Sequence, residues 1–307
     1  MGQTNDRTGI NFGFEQDKFY IQYDSCDRLV GNLRQEFELR ARELHNLNRK
    51  LILGLSAGLD SQSVLHSFFS QGLNIDCAFL YQPGYNDIEY KNIKFLEKKY
   101  GFKTMVVDID PIKERERVMH LHQHLTLPPN QILHMIFLER LPKDASILQG
   151  IHGPDFLRYN DEWYVFESAN SFEISRLRAF LTVERNGKIL GFERTPEILL
   201  SLLNDDIVTA FLYAHRYIEN NKLIYQNGES IPKIDYWDLY LKPFFYGKYW
   251  KDEIEYFPKY QGCENIDYIV NGPKNQYTKN LVAIPYHDLI NFLRSGDKKK
   301  KVFYEYQ

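Results

Sequence analysis

The residues best suited to chemistry stand in one short segment that combines hydroxyl, carboxylate and very small side chains. The segment comprises Ser56, Ala57, Gly58, Leu59, Asp60 and Ser61. Gly58 lacks a Cβ, so its backbone can take a positive φ or lie close to a phosphate. The hydroxyls of Ser56 and Ser61 can each donate to phosphate oxygens. Asp60 would repel bare phosphate, which indicates a cation between them, and magnesium is usually held by one or two carboxylates together with phosphate oxygens.

Two regular elements are predicted to position this segment. The apolar run 51–55 is short enough for one buried strand. After the small-residue turn, apolar residues recur at helical spacing, at Leu59, Val64, Leu65, Phe68 and Phe69. A strand, a tight turn and a helix start direct backbone N–H groups at an anion. The simpler interpretation is a strand-to-helix turn in which Asp60 only places a charge in the first turn of the helix.

The segment 56–61 resembles the pyrophosphate loop of the PP-loop ATP pyrophosphatases, whose pattern is Ser-Gly-Gly-x-Asp-Ser. Ala57 stands at the first glycine of the pattern, and an alanine takes a left-handed conformation only at a cost. No Gly-Lys-Ser/Thr follows, so the segment is not a Walker loop. The resemblance implies an α/β fold with an open parallel sheet, and ATP and Mg²⁺ as cofactors. It places the six residues around the phosphates and Gln82, after the second strand, beside the adenine.

The fourth predicted strand ends near residue 150 and is followed by glycines. Residues 145–150 are predicted to form this strand, and Gly153 and Asp155 come after it. Asparagine synthetase-like proteins carry Gly-Glu-Gly-Ala-Asp-Glu at this place. The chain matches that pattern at Gly150, Gly153 and Asp155, with one inserted residue and without the two glutamates. The resemblance implies that Asp60 and Asp155 hold magnesium together on the pyrophosphate, while a plain turn that ends a strand is the alternative.

Aromatic and lysine side chains are dense across residues 237–260. Such a segment could stack a base and hold a phosphate, although it is more often an aromatic core with lysine stems lying along it. In asparagine synthetase-like enzymes a lysine late in the chain reaches the leaving pyrophosphate. That resemblance makes Lys242 and Lys248 the candidates, and no motif chooses between them.

Strand and helix patterns alternate between residues 51 and 156, which predicts parallel strand pairing with right-handed crossovers. We therefore expect three regions. Residues 1–28 are expected to be an N-terminal arm, in which the alternative for Phe19 to Tyr23 is an irregular edge strand. A PP-loop ATP-binding domain covers residues 29–160. A helical, aromatic-rich accessory region that contributes to the substrate site covers residues 161–307.

Composition and cysteine spacing argue against several classes of protein. The 307 residues carry a formal net charge of −3, which does not suggest a surface that binds nucleic acid throughout. The three cysteines form no CxxC pair, which argues against zinc ribbons and iron–sulfur sites. No apolar stretch approaches the roughly 20 residues of a membrane span, and the N-terminus lacks the apolar core of a signal peptide. We therefore expect a cytoplasmic protein without a membrane partner.

The resemblance implies an ATP-dependent, AMP-forming ligase in which Asp60 and one of the two lysines act catalytically. An oxygen of a small-molecule carboxylate or carbonyl compound would attack the α-phosphorus, pyrophosphate would leave as one unit, and ammonia or an amine would displace AMP. Gly2 stands where the family's glutaminase domain carries its cysteine, so ammonia is expected from an external donor. Two alternatives stay open: a PP-loop enzyme that modifies tRNA or nucleobases, with nucleic acid as a less favoured partner, and an ATP-binding module without turnover.

Overall fold

The computed structural model describes the greater part of the chain. The described residues are 10–15, 18–47, 49–125, 129–150, 154–159, 161–168, 189–192, 195–214, 241–257, 281–297 and 299–303. The strands are β1 Ile10–Glu15, β2 Lys18–Tyr23, β3 Leu51–Gly54, β4 Asp76–Tyr81, β5 Thr104–Asp108, β6 Ser146–Gln149, β7 Asp155–Tyr159, β8 Glu162–Ser168, β9 Ile189–Gly191, β10 Leu281–Pro285 and β11 Lys300–Phe303. The helices are α1 Leu33–Asn46, α2 Leu59–Phe69, α3 Asp87–Tyr100, α4 Arg115–Leu125, α5 Pro129–Arg140, α6 Pro196–Leu203, α7 Asp206–Ala214, α8 Lys242–Tyr249 and α9 Tyr286–Ser295.

A parallel sheet of five strands, in the order β5-β4-β3-β6-β9, forms the centre of the fold. Its middle strand is β3, in which Gly54 lies in register with Ala78 of β4 on one side and Gln149 of β6 on the other. The predicted α/β class with a parallel sheet is therefore confirmed. The strand β9 comes from beyond residue 160, so the sheet includes a strand from the region that we expected to be accessory.

Helices cover both faces of this sheet. On one face, Val64 and Phe68 of α2 and Ile93 of α3 belong to a large apolar cluster. On the other face, Val118 of α4 and Ile136 of α5 belong to a second cluster. The division follows from the strand order, because the connection from β5 to β6 passes back over two strands while the earlier connections run the opposite way.

Two further sheets have three strands each and are antiparallel, in the orders β1-β2-β11 and β10-β8-β7. The first pairs the N-terminal hairpin with β11, in which Phe303 lies in register with Tyr20. The strand β2 is thus the central strand of its sheet. The predicted irregular edge strand at Phe19 to Tyr23 is wrong in this respect, because β1 of the same hairpin pairs with one of its sides and β11, distant in sequence, pairs with the other.

The second antiparallel sheet changes the expected surroundings of Asp155. This residue begins β7 and lies in register with Phe166 of β8. It therefore opens a strand of another sheet, where we had expected a turn directly after β6. Gly153 and the side chain of Asp155 lie outside the described residues, so their contacts with pyrophosphate and magnesium stay predictions.

Aromatic side chains around α8 belong to the larger apolar cluster. Phe245, Tyr246 and Trp250 are buried, and Trp250 is only 1 % exposed. The ring centroids of Trp250 and Phe37 of α1 lie 5.2 Å apart. The core interpretation of this aromatic segment is therefore confirmed for these three side chains, which are not available to stack a base.

The cysteine thiols and the lengths of the helices bear on the protein classes that the composition argues against. Cys26 and Cys77 are buried free thiols, and burial raises the pKa of each to about 12. Neither thiol is therefore a ready nucleophile at neutral pH. Among the helices in the described part of the chain, none combines the length and the apolar character needed to cross a membrane.

Candidate active site

The turn between β3 and α2 places its alanine in the left-handed region. Ala57 has a φ of 58°, whereas Gly58 has a φ of −69° and a ψ of 160°. The position that calls for the freedom of glycine is therefore Ala57, where we had considered Gly58. A residue with a Cβ is held in this region at a cost of about 1–2 kcal/mol, so neighbouring contacts must fix the turn.

The two serine hydroxyls hold the turn together. Ser61 Oγ accepts a hydrogen bond from Ser56 N at 3.2 Å and donates one to Gly58 O at 3.1 Å. Ser56 Oγ lies 3.3 Å from Ser61 Oγ and accepts from Gly58 N at 3.4 Å. The hydroxyl of Ser56 stands at the more exposed side of the turn. Both residues thus shape the loop from within.

The start of α2 is suited to an anion. The helix begins at Leu59, and its N-cap residue is Gly58, which has no side chain that could cap the first amides. The first amides of a helix have no acceptor within the helix, and the positive end of the helix dipole lies at the same place. The side chain of Leu59 packs against the larger core and holds this end of the helix on the sheet. A phosphate can therefore bind at the backbone of the turn.

The turn also lies where the strand order reverses. From β3 the chain adds β4 and β5 on one side, while β6 pairs with the other side of β3. The loops that follow β3 and β6 diverge at the carboxyl ends of these strands, which is where open α/β sheets bind ligands. Gly150 lies directly against this turn, because a Cβ on Gly150 would be 2.9 Å from the carbonyl carbon of Asp60. Only a glycine permits so close an approach.

Two side chains of α8 hold the Asp60 carboxylate. Lys242 Nζ forms an ion pair with Oδ2 of Asp60, and the hydroxyl of Tyr246 donates to Oδ1 at 2.6 Å. Lys242 and Tyr246 are four residues apart, so they share one face of the helix. The side chains of Lys242 and Asp60 are 14 % and 17 % exposed, so water screens their interaction only in part. The structure thus brings one of the two candidate lysines to the start of α2.

The other candidate, Lys248, is engaged elsewhere. Its Nζ lies 3.0 and 3.1 Å from the two carboxylate oxygens of Asp205 and also contacts Asp206. Burial lowers the pKa of Lys248, but the hydrogen bonds to Asp206 and Asp205 outweigh burial and raise it. Lys248 therefore closes an ion-pair cluster at the start of α7, away from Asp60, and a contact between either lysine and pyrophosphate stays a prediction.

Gln82 lies directly after the carboxyl end of β4, the place that the resemblance implies for an adenine. Its side chain is buried, and its backbone N–H donates to Asn86 Oδ1 at 2.7 Å. The neighbouring Tyr81 stacks on Tyr90 with ring centroids 4.7 Å apart and donates to Asp87 Oδ1 at 2.7 Å. Hydrogen bonds and ring stacking therefore fix the strand end on which an adenine would lie.

Sequence reasoning missed two residues of the site, Gln62 and Tyr246. Gln62 is 2 % exposed and binds both the carbonyl oxygen of Ala57 and the backbone of Glu255. Tyr246 reaches Asp60 across 186 residues of sequence. No sequence signal could have identified either residue, because each acts through a contact between distant parts of the chain.

The described residues fit the phosphates of ATP better than they fit a magnesium ion. The left-handed turn, the uncapped start of α2 and Lys242 supply N–H donors and positive charge. For magnesium, Asp60 could supply one carboxylate, with phosphate oxygens as further ligands. Among the described residues no group of three or more His, Cys, Asp or Glu side chains could hold a metal, and both oxygens of Asp60 are already engaged.

Comparison with models of known protein families finds no match, and comparison with curated protein sequences finds none either.

Proposed function

We propose that this chain is an ATP pyrophosphatase-type ligase, similar in chemistry to the synthetase domain of asparagine synthetase. It would adenylate a carboxylate or carbonyl oxygen of a small molecule, release pyrophosphate, and transfer the activated group to ammonia or an amine from an external donor. The observation that carries this proposal is the turn at residues 55–61. There a left-handed residue, an uncapped helix start and the Asp60–Lys242 pair meet at the point where the strand order reverses.

Each part of this turn has a task in such a reaction. The backbone amides at the start of α2 would bind the outer phosphates, and Lys242 would offset the negative charge that develops on the departing pyrophosphate. Asp60 would keep Lys242 in place before the nucleotide binds. Magnesium, when bound through Asp60, would supply further charge neutralisation. The protein therefore contributes position and electrostatic stabilisation, and removal of one such donor raises the barrier by roughly 3 kcal/mol.

One observation favours a second candidate, an ATP-binding module without turnover. Lys242 and Tyr246 occupy both oxygens of Asp60, so magnesium would have to displace one of these partners. A module of this kind would bind ATP and release no AMP. The left-handed Ala57 does not favour the module, because the backbone of the turn takes this conformation despite the alanine.

A pyrophosphate-exchange assay separates the two candidates. The purified chain is incubated with Mg-ATP, labelled pyrophosphate and a panel of carboxylates, and the label that enters ATP is measured. The ligase predicts exchange that depends on one class of acid, AMP as the nucleotide product, and loss of exchange in Asp60→Ala. Formation of ADP would contradict the proposal. ATP binding without exchange for every acid would favour the module.

A further inference from the structure

We propose that Gln62 is the positioning residue of the nucleotide-binding turn. Its side-chain amide fixes Ala57 in the left-handed conformation and connects the turn to the segment 250–257, which follows α8. The inference rests on the proposed function, because that function supplies the ligand, ATP. Gln62 does not itself contact the nucleotide in this proposal and acts through the backbone of the turn.

The side-chain amide of Gln62 has three backbone partners. Nε2 donates to the carbonyl oxygens of Ala57 and Glu255, each at 2.8 Å, and Oε1 accepts from Glu255 N at 2.8 Å. These partners determine the orientation of the amide, because the carbonyl oxygens can only accept and the backbone N–H can only donate. At 2 % exposure, water cannot replace these bonds, so their loss would leave buried polar groups without partners.

Ala57 needs such a contact because its conformation is unfavourable for a residue with a Cβ. Without the bond from Gln62 to Ala57 O, the backbone could relax toward the right-handed or extended regions, which alanine prefers. The peptide between Ala57 and Gly58 would then rotate, and the backbone N–H groups of the turn would no longer point together at the phosphate. Because only the converged population binds ligand well, the apparent affinity would fall in proportion to that population.

The same amide links the turn to the part of the chain that carries Lys242. Glu255 follows the buried Trp250 and α8. Further contacts hold this segment against α1 and α3. Arg34 of α1 forms an ion pair with Glu253 at 2.6 Å, and the hydroxyl of Tyr100 at the end of α3 donates to the carbonyl oxygen of Glu253. Gln62 therefore joins two structures that the site needs together, the left-handed turn and the segment that follows α8.

Binding of α,β-methylene-ATP tests the inference. The methylene group between its α- and β-phosphates prevents the release of pyrophosphate, so binding is measured without turnover. Its affinity in the presence of magnesium is measured by calorimetry for the full-length chain and its variants. Gln62→Met keeps the length of the side chain and removes all three bonds, and we expect binding about 10-fold weaker. Adding Ala57→Gly to Gln62→Met should restore several-fold of that loss, because glycine takes the left-handed conformation without strain.

Gln71→Met is the matched control. Gln71 follows α2 at its far end and donates from Nε2 to the carbonyl oxygens of Glu38 and Ser67, at 2.9 and 2.6 Å. Its loss removes two bonds of the same kind away from the turn, so the affinity should stay within about twofold of the wild type. Equal binding by Gln62→Met and the wild type would overturn the inference and leave the proposed function standing. Absence of binding by the wild type would overturn both.

Hydrogen exchange of the wild-type chain gives a second test that requires no folded variant. Addition of α,β-methylene-ATP should slow exchange in the peptide that covers residues 55–62 and also in the peptide that covers residues 250–257, because Gln62 binds the amide of Glu255. Protection that appears in the first peptide and is absent from the second would contradict the coupling.

Discussion

At the scale of the single residue, α8 directs two lysines to different partners. Lys242 and Lys248 are six positions apart, which on an α-helix separates their directions by about 120°. Lys242 therefore meets Asp60 at the start of α2, and Lys248 meets Asp205 and Asp206 at the start of α7. Identical side chains on one short helix thus have different partners, and the proposed function assigns them different roles, Lys242 toward the ligand and Lys248 toward the stability of the fold.

These roles predict opposite outcomes for two matched substitutions. Lys242→Ala should lower the rate of pyrophosphate exchange by about 100-fold or more, because it removes a positive group from the leaving pyrophosphate. Lys248→Ala should leave the rate within about twofold and lower the free energy of unfolding by about 1 kcal/mol, since Lys248 is 38 % exposed and solvent screens its ion pairs. Exchange rates and urea unfolding of both variants provide the measurements. A larger loss of exchange rate in Lys248→Ala than in Lys242→Ala would contradict this assignment and make Lys248 the lysine that acts on the pyrophosphate.

Glu89, in the first turn of α3, predicts a pH-dependent contribution to stability. Burial raises the pKa of the Glu89 carboxyl to about 7, although a hydrogen bond from Asn86 lowers it. Below pH 4.5, the ordinary value, both the folded and the unfolded chain hold the proton. As pH rises to 7, the unfolded chain releases the proton first, so the free energy of unfolding falls.

Glu89→Gln should therefore raise the free energy of unfolding at pH 8 by about 2 kcal/mol and leave it unchanged below about pH 4. Urea unfolding across this pH range measures the difference. Glu97→Gln on the same helix should act with the opposite sign above pH 5, because hydrogen bonds from Lys94 and Thr104 outweigh burial and lower the pKa of Glu97. A Glu89→Gln effect that does not change with pH would contradict the assignment.

At the scale of the element, the site depends on how closely β6 approaches α2. A Cβ on Gly150 would lie 2.9 Å from the carbonyl carbon and 3.0 Å from the carbonyl oxygen of Asp60. Backbone atoms of a helix cannot yield as a flexible side chain can. The end of β6 and the start of α2 would therefore have to separate, and the amides of the turn would move with the helix.

Gly150→Ala should accordingly lower the free energy of unfolding by about 1–3 kcal/mol and weaken binding of α,β-methylene-ATP. Gly247→Ala is the matched control, since a Cβ on Gly247 of α8 would meet no atom within 4 Å. The control should raise stability by about 0.5–1 kcal/mol, because alanine is the better helix former. Thermal unfolding and calorimetry report both effects, and unchanged stability in Gly150→Ala would show that the elements can separate freely.

The elements differ in how far their sequences determine them. The strands β3 and β6 and the start of α2 lie within one or two residues of their predicted positions, because each strand is a short apolar run and the helix begins after a turn of small residues. Thr195 and Pro196 likewise mark the start of α6, where Thr195 Oγ1 accepts from Ile198 N at 3.2 Å. Local patterns are sufficient for these features.

Features that depend on distant contacts could not be predicted in this way. The strand that begins at Asp155 exists because β8 and β10 pair beside it, and residues 281–285 are far away in sequence. The choice between Lys242 and Lys248 depends on which face of α8 packs toward Asp60. Gln62 is likewise defined by a partner 193 residues away. The position of the loop at residues 56–61 could therefore be predicted from the sequence. The side chains that support it, Gln62 and Tyr246, could not.

At the scale of the whole molecule, one apolar cluster joins the two halves of the chain. It contains Phe37 and Phe68 from the predicted ATP-binding region together with Phe192, Phe245 and Trp250 from the predicted accessory region. Phe37 lies 5.2 Å from both Phe192 and Trp250 between ring centroids. The predicted boundary near residue 160 therefore divides a continuous core, although the boundary itself remains a prediction.

This packing predicts that residues 29–160 will not fold as an isolated fragment. Without the later residues, the sheet would lose β9, and the aromatic side chains of α1 and α2 would lose their partners. Each large aromatic side chain returned to water costs about 1.5–3 kcal/mol, and marginal domain stability of about 5–15 kcal/mol does not tolerate several such losses. The fragment should show no cooperative unfolding by circular dichroism. The full chain should unfold in one transition that coincides by circular dichroism and by tryptophan fluorescence, to which the buried Trp250 contributes. A cooperative transition in the fragment would show that the ATP-binding region is an independent domain, and the later residues would then be an accessory to it.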